Sequence, residues 1–275
     1  MTAVPEHPVL AATEALLAEE GHVVEHLLPG PTAEPAPLAD VYLLKANTPA
    51  ALAFARGLER LGARVVNSAA STEFCQDRAH MACLARRAGL PFPATTELPG
   101  LDALLAYGPV RRPLVVKSRR SRRGNLVALV ADDTQLRELV DQWPGESVVV
   151  QELAPSTGWD HKVWVVADRI FAELRRSELA VGEQLPSQTV GELPSGWSQL
   201  ALRVGEVFGL DVYGVDILDV RGTPLIVDVN AFPGIRGQPA APAALARLAI
   251  EVAAGEISPR VIAAAPGTRV SRPVR

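Results

Sequence analysis

Near the C-terminal end, Gly214-Val215-Asp216-Ile217-Leu218 and Pro224-Leu225-Ile226-Val227-Asp228-Val229-Asn230-Ala231-Phe232-Pro233-Gly234 form two apolar runs around Arg221-Gly222. Runs of this kind predict a β-hairpin. Side chains two apart on a strand share a face, so Asp228 and Asn230 point the same way. Asp216, on the neighbouring strand, can converge on them. Two carboxylates and an amide oxygen are hard oxygen ligands, the type that holds Mg2+ while leaving positions for phosphate oxygens. Asp and Asn are poor strand residues, so three of them inside apolar runs weigh against a plain surface hairpin.

Composition narrows the setting. A chain of 275 residues is long enough for two or three small α/β lobes. A net charge of −4 makes no global case for nucleic acid or a membrane surface. No apolar run approaches the roughly 18 residues that span a bilayer. Residues 1–8 lack the basic and apolar regions of a signal peptide. Cys75 and Cys83 fall on one predicted helix, about 12 Å apart along its axis, too far for a disulfide. Both are expected to be buried thiols in a reducing cytoplasm.

Along the chain, periodicity predicts helices over residues 8–21, 50–61, 71–88, 101–107, 134–143, 197–208 and 239–254. Ser71 or Thr72 is the expected N-cap of the third. Strands are predicted over 22–28, 41–44, 64–67, 113–117, 126–130, 147–153, 162–166 and 170–174, besides the hairpin. Residues 91–98 read as extended, and 177–196 as loop-rich. Strand–helix alternation near the N-terminus predicts a parallel sheet.

Asp228-x-Asn230-x-x-Pro233-Gly234 after Val215-Asp216-Ile217-Leu218 resembles the ATP-grasp superfamily, and within it the RimK-type carboxylate–amine ligases. The Asp-x-Asn-x-Phe-Pro-Gly form also resembles inositol-phosphate kinases of that superfamily. The resemblance covers about residues 65–250; the first 64 match only in their alternation. It implies that Asp216, Asp228 and Asn230 hold magnesium ions that bridge ATP phosphates, although Glu is usual where Asp228 stands. By itself, a lysine at the end of Val115-Val116-Lys117 can reach nucleotide phosphates as a point charge; the resemblance assigns Lys117 to the α-phosphate. It makes Arg78, in Cys75-Gln76-Asp77-Arg78, a second phosphate-facing cation. Gln151-Glu152-Leu153-Ala154 is implied to be the hinge whose backbone reads adenine.

Trp159-Asp160-His161-Lys162-Val163 matches a family strand, and Arg175 and Arg176 follow thirteen residues on. Lys162 and Arg176 are expected to bind phosphate or acceptor. Arg175 is less favoured, because strand alternation sets it opposite Arg176. His161 is read as structural. Residues 118–125 stand where the family has a Gly- and Ser-rich loop over the triphosphate, yet only Gly124 remains, beside Arg119, Arg120, Arg122 and Arg123. Arginines there either grip phosphates or bind an anionic acceptor. Arg122, Arg123, Arg175, Arg176, Asn230 and Gly234 are placed on the acceptor side. The stretch 178–196 lacks the Asn-x-His-x-Gly-Gly pattern usual in RimK-type ligases, so protein glutamylation is not implied.

The expected fold is α/β: an N-terminal Rossmann-like lobe (1–72), a central lobe (73–153) and a C-terminal lobe carrying the metal site (154–265), the latter two clasping ATP, with a disordered tail (266–275). The expected activity is an ATP- and Mg2+-dependent carboxylate–amine ligation through an acyl phosphate, with Mn2+ as the alternative ion and a small-molecule kinase as the alternative reaction. The expected partner is a small-molecule or peptide anionic acceptor, in the cytoplasm, without nucleic acid or membrane. The oligomeric state is left open, a homo-oligomer included.

Overall fold

A computed structural model of the chain describes residues 1–2, 7–28, 37–106, 113–121, 124–180 and 185–263. The expected tail at 266–275 and the loop arginines Arg122 and Arg123 lie outside these residues.

The first elements are α1 (Pro8–Glu19), β1 (Tyr42–Leu43), α2 (Pro49–Arg60) and β2 (Val65–Val66). α2 is capped by Thr48, whose side chain accepts from Ala51 N. It crosses between two strands that pair in parallel, as such a connection requires. The strand predicted over 22–28 does not form. Among the described residues that segment pairs with no strand: Leu27 O accepts from Thr2 N at 3.2 Å, His22 N donates to Leu17 O at 3.0 Å, and Val23 is 88% exposed. The chain start lies beside β1 instead: the Met1 ammonium donates to Leu43 O, and Met1 O accepts from Lys45 N.

The helix predicted over 71–88 is two helices, α3 (Ala69–Phe74) and α4 (Arg78–Arg87). Asp77 breaks them apart. In an extended conformation it caps α4, its Oδ1 accepting from Ala79 N at 3.1 Å and His80 N at 3.2 Å. Ser68, rather than Ser71 or Thr72, caps α3. The two cysteines therefore sit on different elements. Both are free thiols, but Cys83 is exposed, against the expectation that both are buried.

Next come β3 (Thr95–Leu98), α5 (Leu101–Ala106), β4 (Leu114–Ser118), β5 (Val127–Val130), α6 (Asp133–Gln142) and β6 (Val148–Glu152). The strands form an antiparallel sheet in the order β3-β6-β4-β5. Leu101 and Leu104 of α5 and Leu136 of α6 cover its apolar face.

The last unit holds β7 (Trp159–Val166), β8 (Arg169–Arg176), β9 (Gln188–Thr189), α7 (Trp197–Phe208), β10 (Val212–Val220), β11 (Thr223–Ala231) and α8 (Ala241–Ala254). Its five strands run antiparallel in the order β11-β10-β7-β8-β9. Alternation sorts the faces. Val163, Val165, Tyr213, Val215 and Ile217 pack with α4 and α7, which leaves Lys162 and Asp216 for the other face. The β10–β11 turn uses Arg221 and Gly222 at φ 55° and 86°, the two left-handed residues of a tight hairpin turn. Gly209 ends α7 at φ 63°; a side chain there would run into the Ile262 backbone.

Asn67 joins the first unit to the last. Fully buried, its amide donates to Val212 O at 2.6 Å and accepts from Asp211 N at 2.8 Å and Val212 N at 2.9 Å. Among the described residues no helix is long and apolar enough to cross a membrane.

Candidate nucleotide and metal cleft

The polar face of the five-stranded sheet and the face of the four-stranded sheet left uncovered by α5 and α6 enclose a cleft of about 1260 Å³. Small-ligand pockets run on the order of 300–1,000 Å³, so there is room for a nucleotide and a second substrate.

On the floor, β10 lies between β7 and β11, and register sets Asp216 beside Lys162 on one side and Asp228 on the other. The Lys162 ammonium pairs with the Asp216 carboxylate. Asn230, two residues after Asp228, faces the same cleft. Above the floor, Lys117 at the end of β4 is 7% exposed and donates to Val227 O at 2.9 Å. Burial pushes its ammonium pKa down, and the Asp228 carboxylate opposes that shift. Arg78, 6% exposed, donates to Ser118 O at 2.9 Å, and its other terminal nitrogen lies 3.3 Å from Asp228 Oδ2. The break at Asp77 is what aims Arg78, the first residue of α4, across to β11.

Gln151, Glu152, Leu153 and Ala154 line one end of the cleft. The Gln151 amide is turned to β3, donating to Thr95 Oγ1 at 2.9 Å. Val115 and Val127 from one sheet face Leu218 and Leu225 from the other across this end, an apolar slot suited to a flat ring. Sequence reading passed over these four, because ordinary apolar strand residues carry no signal of what they line.

Register alters the expectation for β8. Arg175 pairs with Asp160 and so shares the face of Lys162, whereas Arg176 pairs with Trp159. Arg176 reaches the cleft rim from the strand end, beside Gly158. Asp160, not singled out as a site residue from sequence, lines the cleft, and burial raises its carboxyl pKa to about 6. Its alternation with Lys162 was the available signal. His161 faces away, its ring 4.8 Å from that of Trp197.

The four-arginine loop is corrected in part. Arg119 Nε donates to both Asp77 oxygens, at 3.1 and 3.0 Å, and Arg120 lies 3.5 Å from the same carboxylate. These two serve the α3–α4 break rather than the cleft. At the other end of the cleft, Gly234 lies with Lys45 and Arg236, two cations that sequence reading missed.

Among the described residues no group of three or more His, Cys, Asp or Glu side chains could cage a metal. The set here is two carboxylates and one amide, each already faced by the cleft, and such oxygen donors suit a hard divalent ion that shares phosphate oxygens.

A family model of the RimK-like ATP-grasp domain matches residues 100–246, more than half of the chain. The chain belongs to the RimK-like ATP-grasp family. A probable alpha-L-glutamate ligase 2 of Hahella chejuensis is 29% identical over 195 residues, 66% of this chain. The chain spans just under two thirds of that relative, 63% of its length. Among solved structures, an ATP-grasp RimK domain protein from Sphaerobacter thermophilus superposes with a TM-score of 0.73 at 23% identity, over 88% of this chain and 96% of that one. The D-alanine–D-alanine ligase of Bacillus anthracis complexed with ATP gives 0.60 at 20% identity, over 79% and 80%. At these identities the likeness is one of fold, and the ATP-grasp fold expected from the hairpin is the fold found.

Proposed function

We propose that this ATP-grasp protein is a ligase that joins a carboxylate to an amine at the expense of ATP. One arrangement carries the reading: Lys117, Arg78 and Lys162 converge with Asp216, Asp228 and Asn230 in a single cleft that also holds the apolar slot of Val115, Val127, Leu218 and Leu225. The apolar slot suits adenine, and the three cations suit its phosphates. The substrate carboxylate attacks the γ-phosphorus, and the bond to the ADP oxygen breaks. The amine then attacks the acyl carbon, loses a proton and expels phosphate. Lys117 and Arg78 hold phosphate oxygens in a water-poor site, where fixed charges stabilise the transferring group most. Asp216, Asp228 and Asn230 would hold Mg2+, with Mn2+ as the alternative. When bound, the ion supplies charge neutralisation at the phosphates.

The ligase name of the curated relative, and of the Bacillus anthracis neighbour, supports ligation over the kinase alternative. We place the reaction in the cytoplasm, where ATP is supplied and the free thiols Cys75 and Cys83 stay reduced.

The test is product balance. The protein is incubated with ATP-Mg and pooled carboxylates and amines, and ADP and free phosphate are measured together. Equal release, dependent on adding both substrate classes, is expected. Asp228→Asn should lower both by on the order of a hundredfold or more. ADP accompanied by a phosphorylated organic product, without free phosphate, would sink the ligase in favour of the kinase.

A further inference from the structure

The end of the cleft beyond Asn230 carries two further cations, Lys45 and Arg236. After β11 the chain turns sharply at Phe232, whose φ of 40° is rare for a bulky residue. Lys45, just after β1, donates to Phe232 O at 3.1 Å, and its ammonium lies 5.4 Å from the Phe232 ring centre. A Cβ on Gly234 would sit 3.0 Å from His7 Nε2 and 3.8 Å from Arg236 Nε. Three basic side chains thus gather at one glycine. Two come from the first unit of the fold and one from the segment after the hairpin.

Nothing described offsets the charge of Lys45 and Arg236. Among the described residues no ion pair joins a carboxylate to Lys45 or Arg236. Glu173, whose carboxylate lies 3.9 Å from the Cβ position of Gly237, accepts the Ser187 hydroxyl and stands in register opposite Lys162. The electrostatics agree with the geometry. Burial and the Arg236 charge bring the Lys45 ammonium down to about 8, and burial, Lys45 and Arg236 lower His7. Like charges held this close raise the energy of the free protein, and a bound anion relieves it. His7 also caps α1, a helix of 12 residues whose N-terminus has no side-chain cap bond, and the dipole there favours negative charge.

Position decides which anion. Along β11 the cleft passes from Leu225 in the apolar slot to Asp228 and Asn230, and only then to Phe232 and Gly234. The triphosphate already has Lys117, Arg78 and Lys162.

Resting on the ligase reading, we propose that Lys45 and Arg236, with His7 behind Gly234, form an anion subsite at the Phe232–Gly237 turn that receives a carboxylate of the second substrate. The subsite selects a carboxylate-bearing substrate over its neutral amide.

The full chain is titrated with glutarate, with L-glutamate and with neutral glutaramide, by calorimetry and by thermal shift, in the presence of ADP-Mg. At least one of the two carboxylates is expected to bind, and glutaramide is not. Arg236→Gln, at an exposed side chain, and Lys45→Met should each weaken that binding by about tenfold, the loss of one charge-assisted contact. The rise in melting temperature caused by ATP-Mg should be unchanged in both variants. Carboxylate binding that survives both substitutions overturns the subsite, and so does a wild-type chain that responds to neither carboxylate. A wild-type chain that ignores ATP-Mg yet binds glutarate through Arg236 removes the ligase reading and leaves the subsite standing.

Discussion

Asp160 is a carboxyl whose environment shows in its proton affinity. Burial raises its pKa to about 6, a Ser177 hydrogen bond opposes the shift, and the Asp216 charge adds to it. The folded state then binds a proton more tightly than the unfolded chain, whose carboxyl titrates near the ordinary 3.8. Between about pH 4 and 6 the native state therefore carries more protons, and stability falls as pH rises through that window. Asp160→Asn removes this dependence. The melting temperature of the variant minus that of wild type should grow from about pH 4 to about pH 6 and then level off; a flat difference would refute the assignment. Single residues were unevenly legible in the sequence. Asp216, Asp228, Asn230 and Lys117 stand at strand positions where a charge or amide breaks an apolar run, so they could be picked out. Lys45 and Arg236 come from opposite ends of the chain, and only packing brings them to Gly234. Arg175 and Arg176 needed the β7–β8 register to be told apart.

At the scale of elements, the α3–α4 break does the most to build the site. Asp77, 1% exposed, caps α4, takes the Arg119 guanidinium and forms a bridge with Arg120. Burial works against its charge, yet the hydrogen bonds from Arg119 and the His80 amide hold its pKa below the usual carboxylate range. Asp77→Ala removes a cap worth about 1 kcal/mol and leaves buried donors without their acceptor. A loss of about 2–4 kcal/mol is expected from urea unfolding, and a loss under about 0.5 kcal/mol would show that Asp77 does not hold the break. The apolar spacing of residues 71–88 runs on through the break, so periodicity alone reads one helix. The interrupting signal is a single cap residue whose partners arrive from a distant loop. α7 was legible to the residue, because Gly196 and Gly209 bracket its apolar stripe. Residues 22–28 carry strand-like side chains, but the place beside β1 is taken by the start of the chain.

Across the whole molecule, three sheets serve two purposes. The alternation of strands and helices announced an α/β chain, and the hairpin residues pointed to the ATP-grasp fold now found. How the first unit docks was not legible, since it depends on the Asn67 amide, whose partners lie on β10 and just before it, and on Val9 and Val66 packing with Val212 and α8. Thr13 and Arg64 add further bonds from the first unit to Pro242 and Ala253 of the last. These two units thus make one base; the four-stranded sheet is tied to it through Lys117 to Val227 O and Arg78 to Asp228, and it is the part expected to move over a nucleotide. Hydrogen exchange tests this. The amides of β4 and β5 should slow when ATP-Mg is added, while those of Asp211 and Val212, held by Asn67, should exchange equally slowly throughout. Faster exchange at Val212 in the nucleotide-free chain would contradict a fixed base. The clamp also has a consequence for the second substrate. Lys45 and Arg236 both belong to the base, so in the proposed reaction a substrate held between them keeps the same seat whether the sheet above is open or shut.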